Sequence, residues 1–319
     1  MLVPLKPVLD AARKGGYAQG AFNVNAVCQA KAVIEAHETL RSAAILQGAD
    51  LANAFMGGRA DFANGTVKDK IAGAKNIGDA VKKYGEDSPI PVVLHLDHGR
   101  DMESVKAAIA GGYTSVMIDG SSLPFEENIE LTREVVKYAH PRGVSVEGEL
   151  GVLAGVEDHV FAASSTYTNP LSAVDFVRKT KVDALAISYG TMHGPSKGKD
   201  VKLRREIPIA VRECLAHEGL DCALVSHGSS TVPRYIVDDL AVSVDDGYLA
   251  FGVCRHDHIR DIVGKRNHAD ILEGVFHCQH RQFLLKFVPG HEFVHEPALH
   301  EVLWKVESQI VDGVVQRLH

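Results

Sequence analysis

The chain has 319 residues, 45% of them hydrophobic and 24% charged, a globular composition that excludes a wholly disordered, collagen-like or coiled-coil chain. With 34 Lys and Arg against 41 Asp and Glu, the formal charge is −7. That argues against general nucleic-acid binding and against adhesion to an anionic membrane, but leaves room for a local basic pocket that takes a phosphorylated ligand. No apolar run reaches membrane-spanning length and the first residues lack a secretory leader pattern, so a cytoplasmic protein is expected. Five widely spaced cysteines without a Cys-x-x-Cys (Cys28, Cys214, Cys222, Cys254, Cys278) fit thiols better than a disulfide framework.

In chain order, apolar β-rich runs lie at 21–24, 43–47, 91–96, 115–118, 144–147, 184–188 and 223–225. Most are continuous rather than alternating, the pattern of strands covered on both faces in a parallel sheet. Helical periods separate them. Met102, Val105 and Ile109 share a face that stops at Gly111-Gly112, and Phe125, Ile129, Thr132, Val136 and Ala139 mark a longer helix. Asn169-Pro170 supplies an N-cap and a first helical residue ahead of Val174 and Val177. Ile207, Ala210, Val211 and Cys214 mark another helix, stopped at Gly219. An inserted segment is expected at about 49–75.

Seven βα units predict closure into a single (β/α)8 TIM barrel domain over 1–319, with an irregular last third. The alternative is a doubly wound sheet, but no Gly-x-Gly-x-x-Gly follows the first run. From about Ala241 the regular pattern fades and histidines crowd together, among them His256, His258, His268, His277 and His280. An eighth strand has two candidates, 248–253 and 282–288. Helical periodicity returns over 297–318.

In a barrel, site residues stand at the C-terminal ends of strands. The polar residues there are His95-Leu-Asp97-His98-Gly99, Asp119-Gly-Ser-Ser122, Glu147-Gly-Glu149, Tyr189-Gly-Thr-Met-His193-Gly194 and Ser226-His227-Gly228-Ser229-Ser230. His98, His193 and His227, each followed by Gly, can converge on one point, and three imidazoles with an open position suit a catalytic Zn²⁺. A lone histidine at a strand end is more often a hydrogen-bonded structural residue, and on pattern alone both readings stand. Glu149 and Asp119 can support such a site or ligate in it. Gly194, Gly228 and Ser230 offer an anion cradle, with Lys197 adding charge; an ordinary βα turn uses the same residues. Asp97 and Glu157 are the acid–base candidates. Strand alternation counts against Asp97, because it points Asp97 and His98 to opposite sides. Glu157 lies on a Gly-flanked loop able to close over substrate.

Together these residues resemble the class II, metal-dependent fructose-bisphosphate aldolases. The matching motifs are Ala21-Phe-Asn-Val-Asn25, Leu94-His-Leu-Asp-His-Gly99, Ser115-Val-Met-Ile-Asp119, Val146-Glu-Gly-Glu-Leu-Gly151 with Gly155-Val-Glu-Asp158, Gly190-Thr-Met-His-Gly194 and Ser226-His-Gly-Ser-Ser-Thr-Val-Pro233. They cover about 5–238 in the family's order; 241–282 do not align. The resemblance implies a barrel that reversibly cleaves fructose 1,6-bisphosphate into dihydroxyacetone phosphate and glyceraldehyde 3-phosphate. It implies Zn²⁺ on His98, His193 and His227, with Glu149 and Asp119 at an alternative metal position. Asp97 would take the C4 hydroxyl proton, and Glu157 would move a proton at the dihydroxyacetone phosphate carbon. Gly194, Gly228 and Ser230 would bind phosphate beside a monovalent cation (Na⁺ or K⁺), and Asn23 would face the substrate, with Asn267 the nearest candidate for the family's second substrate-side asparagine. A homo-oligomer, a dimer or higher, is implied as well.

Two departures stand out. The family usually has Ser two residues after the second-strand Gln, where this chain has Ala49 after Gln47. The family's eighth strand usually reads Lys-Ile-Asn-Val-Asp-Thr-Asp; the nearest match is Lys265-Arg-Asn-His-Ala-Asp270. The competing readings are a sibling aldolase acting on tagatose or sedoheptulose bisphosphate, a catalytically silent aldolase-like protein, and a metal hydrolase, against which the usual His-x-His on a first strand is missing.

Overall fold

The computed structural model describes residues 2–157, 160–162, 166–193, 202–228, 232, 233, 235 and 236. Seven parallel strands form one sheet in the order of the chain: β1 (Ala21–Asn23), β2 (Ala44–Ala49), β3 (Val92–Gly99), β4 (Ser115–Ile118), β5 (Ser145–Leu150), β8 (Ala184–Ile187) and β10 (Ala223–Val225). Each coincides with an apolar run of the sequence. Strand order never reverses, so there is no switch point of the doubly wound kind. The architecture is a parallel α/β sheet of the TIM-barrel type. Both eighth-strand candidates, the His-rich stretch and the rest of 241–282 lie outside the described residues.

Helices α1 (Leu5–Gly15), α2 (Val27–Leu40), α3 (Asp50–Met56), α4 (Val67–Gly85), α5 (Met102–Ala110), α6 (Phe125–Ala139), α7 (Pro170–Thr180) and α8 (Glu206–His217) accompany the strands. Local chemistry sets their ends. Asp101 and Asn169 accept hydrogen bonds from backbone N–H groups of the first turns of α5 and α7. Thr66 and Asp69 form a reciprocal capping box at the start of α4. Thus the expected insertion at 49–75 is helical over most of its length. Gly73 and Gly78 mask α4 in the sequence because glycine is a weak helix former. Tertiary contact requires them: a Cβ on Gly73 would lie 1.6 Å from the Asn53 carbonyl oxygen, and one on Gly78 would lie 1.8 Å from that of Gly111.

Strand residues alternate between two cores. Leu46, Leu94, Leu96, Val116, Ile118, Val146, Leu185, Ile187 and Leu224 pack outward against the helices. Ala21, Ile45, Val93, Met117, Ala184, Ala186, Ala223 and Val225 form the inner core, together with Leu5, Val8 and Leu9 of α1. Helix α1 therefore covers the N-terminal ends of the strands. Each fully buried aliphatic side chain there contributes about 1.5–3 kcal/mol relative to exposure. An ion-pair cluster ties α1 down: Lys6 reaches Asp10 at 2.9 Å and Asp221 at 2.7 Å, and Arg13 also meets Asp221. With that end closed by apolar side chains, inward-facing polar groups gather at the other.

A second, three-stranded sheet follows β5. Strand β6 (Ala154–Glu157) pairs antiparallel with β7 (Val160–Ala162) and parallel with β9 (Met192–His193). The Gly-flanked loop expected around Glu157 is thus a β-ribbon, and Glu157 pairs with Val160 near its turn. Among the described residues, no helix is long and apolar enough to cross a membrane, and no disulfide joins Cys28, Cys214 or Cys222.

Candidate active site

Going up each strand from the inner apolar core, the next inward positions are polar. Above Ile45 stands Gln47; above Val93 stand His95 and Asp97; above Ser145 stand Glu147 and Glu149; above Val225 stands His227. This period of two brings the side chains to one mouth of the sheet. His95, Asp97, His98, Glu147 and Glu149 are all buried there.

Asp97 and His98 violate the alternation, and the structure gives the reason. Three residue steps on β3, from Leu96 to Gly99, match two on β4, from Val116 to Ile118. This bulge places His98 at φ +44°, in the left-handed region. The chain turns so that both side chains reach the same site. Strand-end geometry therefore overturns the spacing argument against Asp97. Positive φ is uncommon for a non-glycine residue, and here it accompanies a change in side-chain aim.

Two donor groups result. Ligand atoms of Asp97, His98 and His227 lie within 4.8 Å of one another, as do those of His98, Asp119 and Glu149. The rings of His98 and His227 are 4.6 Å apart. His98 Nδ1 is 3.1 Å from Asp119 Oδ2 and 3.6 Å from Glu149 Oε2. Asp119 is set by Ser121, whose backbone N–H and hydroxyl donate to Oδ1 at 3.0 and 2.6 Å. Asn128 donates to the Glu149 carbonyl at 2.8 Å. Gln47 Nε2 donates to Asn23 Oδ1 and to Asp97 Oδ2, both at 2.8 Å. His227 Nε2 is 2.9 Å from Glu147 Oε1.

The electrostatics are those of crowded, desolvated charge. Burial and the neighbouring Asp119 carboxylate push Glu149 up to about 8. Burial opposes ionisation of Asp119, but the hydrogen bonds from His98 and Ser121 outweigh it and hold its carboxyl well below the usual range. Burial also opposes a charged His227, yet its hydrogen bond to Glu147 raises it to about 9. For His98, burial is likewise overcome by Asp97, Asp119 and Glu149, and the net shift is upward. Groups displaced by burial together with a specific charge partner cluster at functional sites.

A divalent cation fits this donor set. Asp97 Oδ1 and Glu149 Oε2 are buried acceptors without a hydrogen-bond partner among the described residues. A buried carboxylate oxygen without a donor is costly, and a cation held close by offsets the penalty. Mixed imidazole and carboxylate ligation suits zinc.

The remaining expected residues divide. Asn23 reaches the site through Gln47. Gly228 has φ +62°, and a Cβ there would lie 2.5 Å from the Met192 carbonyl oxygen. This close approach sets the strand end carrying His227 beside β9, whose last residue is His193. The side chains of His193 and Glu157, and all of Gly194, Lys197, Ser230 and Asn267, lie outside the described residues. Ala49 pairs in register with Asp97, so the family's missing hydroxyl belongs beside that carboxylate. Sequence reasoning assigned no role to Gln47, His95, Ser115, Ser121, Asn128 or Glu147. For His95 and Glu147 the signal was available, since each stands two residues before a candidate on its own strand.

Comparisons with known proteins agree with this geometry. The family model for fructose-bisphosphate aldolase class-II matches residues 3–256. A fructose-bisphosphate aldolase of Treponema pallidum is 43% identical over 245 residues, 73% of this chain and 70% of the relative. One from Giardia intestinalis is 42% identical over 240 residues, 74% of this chain and 68% of the relative. Among solved structures, the YdjI aldolase of Escherichia coli K12 superposes with a TM-score of 0.62 at 26% identity, covering 86% of this chain and 92% of that one. A fructose-bisphosphate aldolase from Campylobacter jejuni shares the fold, with a TM-score of 0.64 at 21% identity over 80% of this chain and 77% of its own. The chain belongs to the class II fructose-bisphosphate aldolase family, and it is a lyase.

Proposed function

We propose that the protein reversibly cleaves fructose 1,6-bisphosphate to dihydroxyacetone phosphate and glyceraldehyde 3-phosphate. In this reading it is a cytoplasmic homodimer, each chain one (β/α)8 domain over 1–319 with a Zn²⁺ site. The observation that carries the reading is the meeting of Asp97, His98 and His227 within 4.8 Å, in a chain of this family.

His98, His193 and His227 would hold the ion, with Glu149 and Asp119 serving an alternative position. Bound there, Zn²⁺ supplies Lewis-acid polarisation of the ketose carbonyl. Asp97 accepts the C4 hydroxyl proton as the C3–C4 bond breaks, and returns it to the aldehyde oxygen in condensation. The Gln47 bond to Oδ2 orients this carboxylate and leaves Oδ1 for the proton. Glu157, near the turn of the β6–β7 ribbon, carries a proton to the carbon freed by that cleavage. Gly194, Lys197, Gly228 and Ser230 bind phosphate with a monovalent cation alongside, and Asn23 and Asn267 contact the sugar.

The test is cleavage of fructose 1,6-bisphosphate by the purified protein, with and without EDTA, followed by Zn²⁺ addition. Activity lost on chelation and restored by zinc is expected. Turnover unaffected by EDTA in metal-depleted protein would overturn the metal assignment.

A further inference from the structure

We infer that Glu147 is a positioning residue that orients the His227 ring, and that His95 and Ser115 hold Glu147 in turn. The inference rests on the proposed ligand role of His227. Four strands contribute: Ser115 from β4, His95 from β3, Glu147 from β5 and His227 just after β10. Glu147 and His95 are 2% and 3% exposed and Ser115 is fully buried, so the chain of contacts runs beneath the site.

An imidazole offers two nitrogens, and the partner of one decides the state of the other. Glu147 Oε1 lies 2.9 Å from His227 Nε2, and an Nε2–H donates to it in either charge state of the ring. Nδ1, on the Asp97 side and 4.0 Å from Oδ1, is then the nitrogen that a cation would take in place of a proton. The other oxygen of Glu147, Oε2, lies 3.5 Å from His95 Nε2. His95 Nδ1 is 2.8 Å from Ser115 Oγ. The Ser115 hydroxyl lies between His95 Nδ1 and the Ser145 carbonyl oxygen, 3.4 Å away; with the hydroxyl donating to the nearer Nδ1, His95 directs Nε2–H toward Glu147. A carboxylate behind a ligating imidazole fixes the ring and raises its basicity toward a cation. The proposed proton transfers use neither His95 nor Glu147.

Charge separates this role from simple packing. Glu147→Gln keeps the shape and an acceptor for His227 but removes the carboxylate charge; Glu147→Leu removes both. Zinc affinity is read by competition with a chromophoric chelator, and ligand geometry by the visible bands of the cobalt-loaded protein. Thermal melts establish that each variant is folded. Weakening by about 10-fold in Glu147→Gln and about 100-fold in Glu147→Leu is expected, with shifted cobalt bands in both. Should Glu147→Leu not fold, Glu147→Gln decides alone. Wild-type affinity and unshifted bands in folded Glu147→Gln would overturn the inference. His227→Ala, measured alongside, separates the two failures. If it loses zinc while the Glu147 variants do not, the positioning role falls and the ligand reading stands. If it binds zinc like wild type, both fall.

Discussion

Replacing Gln47 by Leu probes the site with the least change of shape. Gln47 Nε2 bridges β1 and β3, donating to Asn23 Oδ1 and Asp97 Oδ2 at 2.8 Å each. Asp97 Oδ1 has no hydrogen-bond partner among the described residues, so the amide is the hydrogen-bond donor that holds this buried carboxylate. A hydrogen bond to a charged group is worth about 1.5–3 kcal/mol and a neutral one about 0.5–1.5. A half-buried Leu returns about 1 kcal/mol through its apolar surface. The net loss is about 1–3 kcal/mol, which lowers Tm by about 1–5 °C in a chain of this size. The functional loss is larger in proportion, because an error of about 1 Å in a reacting group costs about 10²-fold in rate. Circular-dichroism melts and triose-phosphate release read the two effects separately. Gln47→Glu, which sets a second carboxylate against Asp97, should lose more than Gln47→Leu. A Gln47→Leu enzyme with unchanged Tm and unchanged kcat would refute the reasoning.

Glu157→Ala should lose about 10²–10⁴-fold in kcat while zinc content stays at the wild-type level, as expected for loss of a general acid–base group; a matching loss of zinc would place Glu157 in the metal site instead. His193→Ala should lose bound zinc, measured by elemental analysis, and unchanged content would remove it from the ligand set. Gly73→Ala should lower the urea midpoint although alanine favours a helix by about 1 kcal/mol, because its Cβ would meet the Asn53 carbonyl oxygen at 1.6 Å; a raised midpoint would contradict the close packing of α3 on α4. His37 is held below 6.5 by burial, partly offset by its hydrogen bond to the Val33 carbonyl. The unfolded chain therefore binds the extra proton first, and this contribution to stability, complete above about pH 6.5, declines as pH falls toward the folded value. In His37→Leu the urea midpoint should fall less between pH 7.5 and 5.5 than in wild type, and an identical decline would refute this assignment.

The seven strands of the main sheet were legible because each is a run buried on both faces, and burial on both faces demands continuous apolar residues whatever the partner. Caps such as Asn169 were legible for a related reason: a helix end must satisfy its first N–H groups within a residue or two. Helix α4 was hidden, since Gly73 and Gly78 lower its local propensity and only contact with α3 and with the turn at Gly111 explains them. The β6–β7–β9 sheet was hidden too, because its strands are too short to show a period and β9 joins β6 from a distant part of the chain.

The candidate site divides in the same way. Residue types and their motif order, in the sequence by itself, determined the family, the likeness to a barrel, and the short list containing Asp97, His98, His227, Glu149 and Asp119. Tertiary structure alone decided that Asp97 and His98 serve one site, since their relative aim depends on the bulge of β3 against β4 and on the left-handed backbone of His98. It also decided that Gln47, Ser121 and Glu147 hold those groups. Hydrogen-bond partners 80 residues apart, such as His227 and Glu147, have no local signature. A side chain's chemistry travels with the sequence, but its direction and its partner are set only when neighbouring strands fix the register.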